Sequence, residues 1–432
     1  MPLPDRPVTR LTRPFERFMH IEASAGLVLL AATLVALAAA NSGLAGAYHA
    51  FWDEHLTVRT GPLVLDYPRW YWVNDGLMAV FFFVIGLEIK RELVWGELRD
   101  RRAVRLPLAA AAGGVIVPVA IYLLMQPALP GRAGWAVPMA TDIAFVVGCL
   151  ALLGPRVRPG LKVLVLSLAI IDDILAVTVI AVFFNSGLSV GWMAGAVAGF
   201  ALIALLNRLG VRAIGVYVFV GAGIWLCTLK SGVHPTVAGA LLGLLTPASA
   251  WLGDASLVRV AEQVLRRLRR SVADDGQGVR RADLEQLAFA STEAVSPLDR
   301  LEARLHPWVG FAIMPIFALA NAGIAVEVSR LTDPVALSVA VALVVGKPAG
   351  IVAAVALVVA AGWARLPDGV SWATLTGAGC LAGIGFTMAL FLASLSLDGQ
   401  TLNAAKAGIL LGSAVSLTLG LGLLRATLPR AG

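Results

Sequence analysis

Twelve apolar stretches, most of them near the ~20 residues that a membrane-spanning helix needs, run along the chain. They lie near residues 23–41, 70–89, 106–125, 134–153, 161–184, 190–206, 213–230, 232–248, 307–326, 335–362, 372–396 and 403–424. Little chain is left between them, so the bilayer must be the solvent. Of the 432 residues 59% are hydrophobic and 14% charged, against ~25% charged in a soluble domain. These proportions exclude a soluble enzyme and remove the nucleic-acid reading that a net charge of +7 would otherwise raise. The expected fold is an all-α polytopic membrane protein of about 12 transmembrane helices, one domain over 1–432.

Lysine and arginine are spread unevenly over the loops. Four lie in the N-terminal tail (Arg6, Arg10, Arg13, Arg17), six between Lys90 and Arg105, and nine between Arg259 and Arg304. With the tail inside, 27 loop cations face the cytoplasm and 6 (Arg59, Arg69, Arg132, Lys230, Arg330, Lys406) face out. The positive-inside rule then puts both termini in the cytoplasm. The first apolar run, about 18 residues, exceeds the ~7–15 of a signal-peptide core, so it reads as an uncleaved anchor. Cys149, Cys227 and Cys380 all lie within apolar stretches, where they read as packing residues rather than a disulfide framework.

Two loops have character of their own. Residues 44–69 alternate apolar and polar around Gly61-Pro62, the pattern of an outside β-hairpin. Its open edge is an expected homodimer contact. Residues 249–305 form a cytoplasmic loop: an Arg-rich amphipathic run from Val258 to Arg270, a turn through Asp274-Asp275-Gly276, then another helix. The cluster from Arg266 to Arg270 reads as charge facing membrane lipid.

Five ionisable side chains stand in or near apolar stretches: Asp75, Asp142, Asp172, Asp173 and Lys347. Asp75 is nearer its helix end. Each of the other four costs ~2.5–3.5 kcal/mol at the centre of a spanning helix, on the order of 10 kcal/mol together, comparable to the stability of a whole domain. Partners must offset that cost, or function must require it. Asp142 and Asp172 each lie 15 residues from Val157, where the fourth and fifth stretches turn. At ~1.5 Å per residue they share one level on antiparallel helices, so three carboxylates converge near the midplane. Lys347 lies at a similar depth before the turn at Arg365, level with Gly385 on the next helix.

That next helix contains Gly377, Gly379, Gly383 and Gly385, each of which weakens it by ~1 kcal/mol relative to alanine. Pro138-Met139-Ala140-Thr141 is a matching weakness just before Asp142. Unwound backbone at membrane depth survives only where it lines a cavity or is buried in protein. Residues 106–184 and 335–424 are therefore expected to be inverted-topology repeats, their interrupted middle helices crossing near the midplane. Crossed half-helices bring like dipole ends together, which Asp142 and Lys347 would neutralise. Paired carboxylates such as Asp172 and Asp173 bind protons and hard, oxygen-seeking cations alike. Competition at one alternately exposed site is exchange.

Several phrases are similar to those of the NhaA-type Na+/H+ antiporters. They are Ala140-Thr141-Asp142-Ile143-Ala144-Phe145, Leu168-Ala169-Ile170-Ile171-Asp172-Asp173, Gly346-Lys347-Pro348 and Gly385-Phe386-Thr387-Met388. Phe317 to Gly323, Val84 to Leu93 and Gly232-Val233-His234-Pro235 extend the resemblance over about residues 15–425. It implies a secondary transporter, not an enzyme, of the bacterial inner membrane, with no cofactor and with Na+ or Li+ and H+ as its ions. Asp173 would be the principal cation carboxylate and Asp172 its partner, in salt bridge to Lys347 when the site is empty; Thr141 and Asp142 would complete the unwound region. Family members return more protons than the Na+ or Li+ they export, which moves net charge. Their pH response is associated with the cytoplasmic mouth, matching Glu88, Arg91, Glu92, Glu302 and His306; His234 joins these as a candidate. Ala303 departs from members that carry a histidine there, and the 249–305 loop is longer than the family's minimal form.

Other readings stand beside this one. An intramembrane aspartyl protease also uses two membrane aspartates, but it needs them on facing helices. A cation channel favours rings of weak sites over a carboxylate pair with a counter-ion. An organic anion would be repelled by Asp172 and Asp173. In purely structural terms, Lys347 could serve only as a counter-ion, Asp142 only as a dipole cap, His234 only in packing, and Glu88 to Glu92 only as a solvated charge patch.

Overall fold

Each apolar stretch is helical over most of its length in a computed structural model, which describes residues 22–428 apart from 62, 101, 212–213, 274–279 and 326–331. The arginines of the N-terminal tail, Arg330, the turn through Asp274 and both termini lie outside the described residues. The chain opens with α1 (Glu22–Ala40), α2 (Ala45–Asp53), β1 (His55–Thr60) and β2 (Leu63–Pro68). A π-helical turn (Trp72–Leu77) then runs into α3 (Met78–Val94), followed by α4 (Arg105–Met125), a 3-10 segment (Gly131–Met139), α5 (Ile143–Leu153) and α6 (Pro159–Phe183). Next come α7 (Val190–Arg208), α8 (Ile214–Ser231), α9 (Pro235–Leu245), α10 (Asp254–Ala273), α11 (Arg280–Glu293), α12 (Pro297–Trp308) and α13 (Met314–Asn321). The last elements are α14 (Pro334–Val341), α15 (Lys347–Ala360), α16 (Trp372–Ala382), α17 (Phe386–Ser396) and α18 (Gly399–Thr427).

Among the described residues, 8 helices are long and apolar enough to cross a bilayer, and two bent pairs bring the number to 10. The pairs are α1 with α2, bent by 113°, and α16 with α17, bent by 47°. The count thus stops short of twelve. The remaining stretches fall on α3 and α9, 17 and 11 residues long, and these two helices pack directly on each other. Between helices in lipid there is little hydrophobic drive, so attraction comes from close backbone approach over small residues. Gly239 and Gly243 of α9, one turn apart, face the α3 backbone at Ala79 and Gly86. Gly113 of α4 and Gly350 of α15 meet in the same way.

A Cβ on Gly243 would lie 2.7 Å from the Cα of Gly86, with backbone on both sides and no flexible side chain to yield. Gly243→Val should therefore destabilise the protein by ~1–3 kcal/mol, the usual range for overpacking. Thermal melting in detergent checks this, and an unchanged midpoint would mean the crossing is looser than described.

The 44–69 loop forms the expected antiparallel hairpin, its strands confined to residues 55–68, with Thr57 opposite Asp66 and Gly61 at φ +60° in the turn. The first part of the loop is instead helical, as α2. Asp66 accepts a hydrogen bond from Thr57 Oγ1 at 2.7 Å, with His55 Nδ1 at 3.3 Å. Thr57 first, and His55 less, hold the Asp66 carboxyl below its ordinary range. A lowered carboxyl stabilises its fold above the unfolded pKa and loses that contribution as pH falls through the folded one. Amide protection factors in the hairpin should thus be steady through neutral pH and fall only in acid, and Thr57→Val should blunt the acid limb. An equal acid response in that variant would refute the assignment.

In the 249–305 loop, α10 and α11 are joined by Arg267 and Asp283 at 3.4 Å. The core lies around Phe391 of α17, whose ring is 5.5 Å from Phe82 of α3 and 6.1 Å from Phe317 of α13.

Candidate ion-binding site

Both interrupted helices break at the weak points of the sequence. The 3-10 segment stops at Met139, and extended backbone at Ala140 and Asp142 precedes α5. Gly383, Ile384 and Gly385 separate α16 from α17. The breaks face one another: the Asp142 N–H donates to the Ile384 carbonyl at 2.7 Å, and Thr141 Oγ1 lies 3.1 Å from the Ala382 carbonyl.

Asp142 caps two helices at once. Its carboxylate accepts from the Phe145 N–H at 3.4 Å in the first turn of α5. From the first turn of α17 it accepts the Thr387 N–H at 3.0 Å and the Thr387 hydroxyl. A negative charge therefore sits where two positive dipole ends meet. The Met139 carbonyl end receives a donor instead, from the Lys347 ammonium, and the Thr141 hydroxyl stands against the Ala382 carbonyl end while its shorter contact runs to Asp172.

Asp172 and Lys347 form the ion pair of the site. Asp172 Oδ2 is 3.0 Å from Lys347 Nζ and 2.7 Å from Thr141 Oγ1. Both residues are sealed, with relative exposures of 1% and 0%. Asp172 Oδ1 is buried without a hydrogen-bond partner among the described residues. Asp173, 3% exposed, takes no hydrogen bond or ion pair from a described residue. What reaches it is charge: Glu88, Asp172, Asp142 and Lys347 all act on it electrostatically. Asp173, the free oxygen of Asp172 and the Thr141 hydroxyl thus offer oxygen ligands of the kind a hard cation takes, beside an ammonium that a bound cation would displace.

The structure divides the remaining candidates. Glu88 lies 3.5 Å from His306, and Arg91 pairs with Glu302 on α12, so these four form one cluster. Glu92 turns aside to accept the Glu97 N–H at 3.1 Å. His234 is elsewhere, 3.6 Å from Asp75 at the opposite end of α3, with Thr236 beside it.

A family model described as Na+/H+ antiporter 1 matches residues 16–424. The chain is 48% identical to the Na(+)/H(+) antiporter NhaA of Rhodopirellula baltica, covering 100% of this chain and 98% of that protein. The chain belongs to the Na+/H+ antiporter 1 family. Identity to the Na(+)/H(+) antiporter NhaA of Rhizobium meliloti is 46%, over 97% of this chain and 95% of the relative. For NhaA 2 of Sorangium cellulosum it is 48%, over 96% and 90%. Members of the Na+/H+ antiporter 1 family are secondary transporters, not enzymes, so the protease reading falls.

In this antiporter-family chain, sequence reasoning missed two partners of the site: the Thr387 side chain and the Met139 carbonyl. The first had a usable signal, since Thr387 follows the glycine break that lies level with Lys347. The second had none, because a backbone carbonyl leaves no mark in composition. Also unforeseen was the buried pair Asn74 and Asn321, where Asn321 Nδ2 donates to Asn74 Oδ1 at 2.7 Å next to Asp75.

Proposed function

We propose that this chain is an electrogenic, pH-regulated Na+(Li+)/H+ antiporter of the bacterial inner membrane, with both termini cytoplasmic, working by alternating access at Asp172 and Asp173. The names of its relatives support the exchange itself. The observation that carries the site assignment is Asp173, a buried carboxylate without a partner among the described residues, beside the closed Asp172–Lys347 pair. A cation held between Asp173 and Asp172 replaces a proton on the first and the positive charge of Lys347 beside the second. More than one proton is then exchanged per Na+, and the membrane potential acts on the net charge at ~2.3 kcal/mol per charge per 100 mV.

Thr141 and Asp142 hold the crossed breaks around that cation, and residues 106–184 and 335–424 act as inverted repeats about it. Regulation by pH falls to Glu88, Arg91, Glu302 and His306, because Glu88 belongs to their cluster and also acts on Asp173. Glu92 and His234, which stand apart from the cluster, are secondary candidates. The hairpin, with Leu56, Val58 and Val64 exposed, is the proposed homodimer contact.

Everted vesicles from an antiporter-deficient bacterium test the reading. Adding Na+ or Li+ should collapse a preformed pH gradient, K+ should not, and the response should vary steeply across a pH series. Silence at every pH, from protein shown to be folded and inserted, would overturn it.

A further inference from the structure

A cavity of about 830 Å³ opens where the first turns of α4 and α6 meet the turn after α15. Arg102, Arg105 and Arg365 line it, with Glu97 as the single acid among its lining residues. No carboxylate of a described residue forms an ion pair with any of the three arginines. The nearby Asp100 spends its carboxylate on the backbone N–H of Arg102, at 2.8 Å. Arg105 Nη1 reaches the Trp363 carbonyl at 3.4 Å, which ties the two walls together. Three guanidinium groups are thus gathered in one concavity with a single carboxylate, Glu97, to oppose them.

Two further observations point to a ligand. Ser167, 3% exposed, lines the same cavity, and its hydroxyl has no hydrogen-bond partner among the described residues. The helix starts of α4 and α6 add positive dipole ends at the rim. A guanidinium fork matches the planar, multidentate demand of a phosphate better than any other side chain does.

We propose that this cavity binds a phosphate-bearing anion, supplied by the headgroup of an anionic phospholipid in the adjoining leaflet. The cavity lies at the ends of three membrane-spanning helices, where basic pockets meet lipid headgroups. Trp363, 68% exposed on its rim, has the placement of an interfacial tryptophan. Ser167 stands five residues before Asp172 on α6, ~7.5 Å along the helix axis. A bound headgroup therefore braces the helix that carries the carboxylate pair.

The test uses the full chain, purified in a neutral detergent, with its melting midpoint followed while phosphatidylglycerol, phosphatidylcholine or tripolyphosphate is added. Phosphatidylglycerol should stabilise and phosphatidylcholine should not. Replacing all three arginines by glutamine should weaken the apparent affinity by about 100-fold, at about fivefold for each basic residue near anionic lipid. Arg259→Gln with Arg266→Gln, equally basic positions on α10, should leave it unchanged. Should the triple variant fail to fold, Glu97→Gln should tighten binding, since it removes the one opposing charge. Protection by tripolyphosphate alone, lost in the triple variant, would retain the phosphate site and make a soluble phosphate compound its source. Equal stabilisation of wild type and triple variant, or no change in Glu97→Gln, overturns the proposal.

Discussion

Vesicles carrying Asp173→Asn are expected to show no Na+- or Li+-driven proton movement above vesicles that lack the protein, while the purified variant melts at or above the wild-type temperature. The two halves of this expectation have one cause. Asp173 makes no hydrogen bond and no ion pair within the described structure, so the isosteric amide breaks no contact. Whenever the Asp173 proton is off, its charge sits in a poorly solvated site where no described partner offsets the desolvation penalty, and the neutral amide never carries that cost. Transport requires that same charge, because a neutral amide can neither release a proton nor balance a cation. A variant that transports normally would disprove the role of Asp173. A variant that loses both transport and stability would mean Asp173 is a structural residue.

Lys347→Met should have the opposite profile, with a large loss of stability. It strips Asp172 of the ammonium 3.0 Å away and leaves the Met139 carbonyl without its donor. Breaking one side of a buried pair costs ~3–5 kcal/mol, because the other charge stays buried and uncompensated. Adding Asp172→Asn should recover most of that loss, since an amide can still accept from Thr141 without carrying charge. Melting of the two single variants and the double variant gives the coupling directly. Additive losses would mean that Asp172 and Lys347 are not paired in the protein as it stands.

Charge was the legible part of this site. Asp142, Asp172 and Lys347 stood out because an ionisable group in an apolar stretch is costly wherever it lies, and counting residues from Val157 placed Asp142 and Asp172 at one depth. Their contact through Thr141 fits that depth. Neutral and backbone partners carry no such cost, so Thr387 and Met139 could not be read in the same way. The place of His234 along the chain does not say which end of the bundle it reaches; the packing of α9 on α3 brings it to Asp75. The exact span count stays open for a related reason. Hydropathy measures how apolar a stretch is, whereas α9 is short and is placed by its glycines against α3.

The bond from the Asp142 N–H to the Ile384 carbonyl joins the two breaks backbone to backbone. With Asp142 also fastened to Thr387, and Thr141 set against Ala382, neither half-helix pair can swing without dragging the other. The crossed segments are in effect a single cog. Under the alternating access proposed above, the crossed segments would turn as one body, and the repacking would fall on the helices around them and not on the axle.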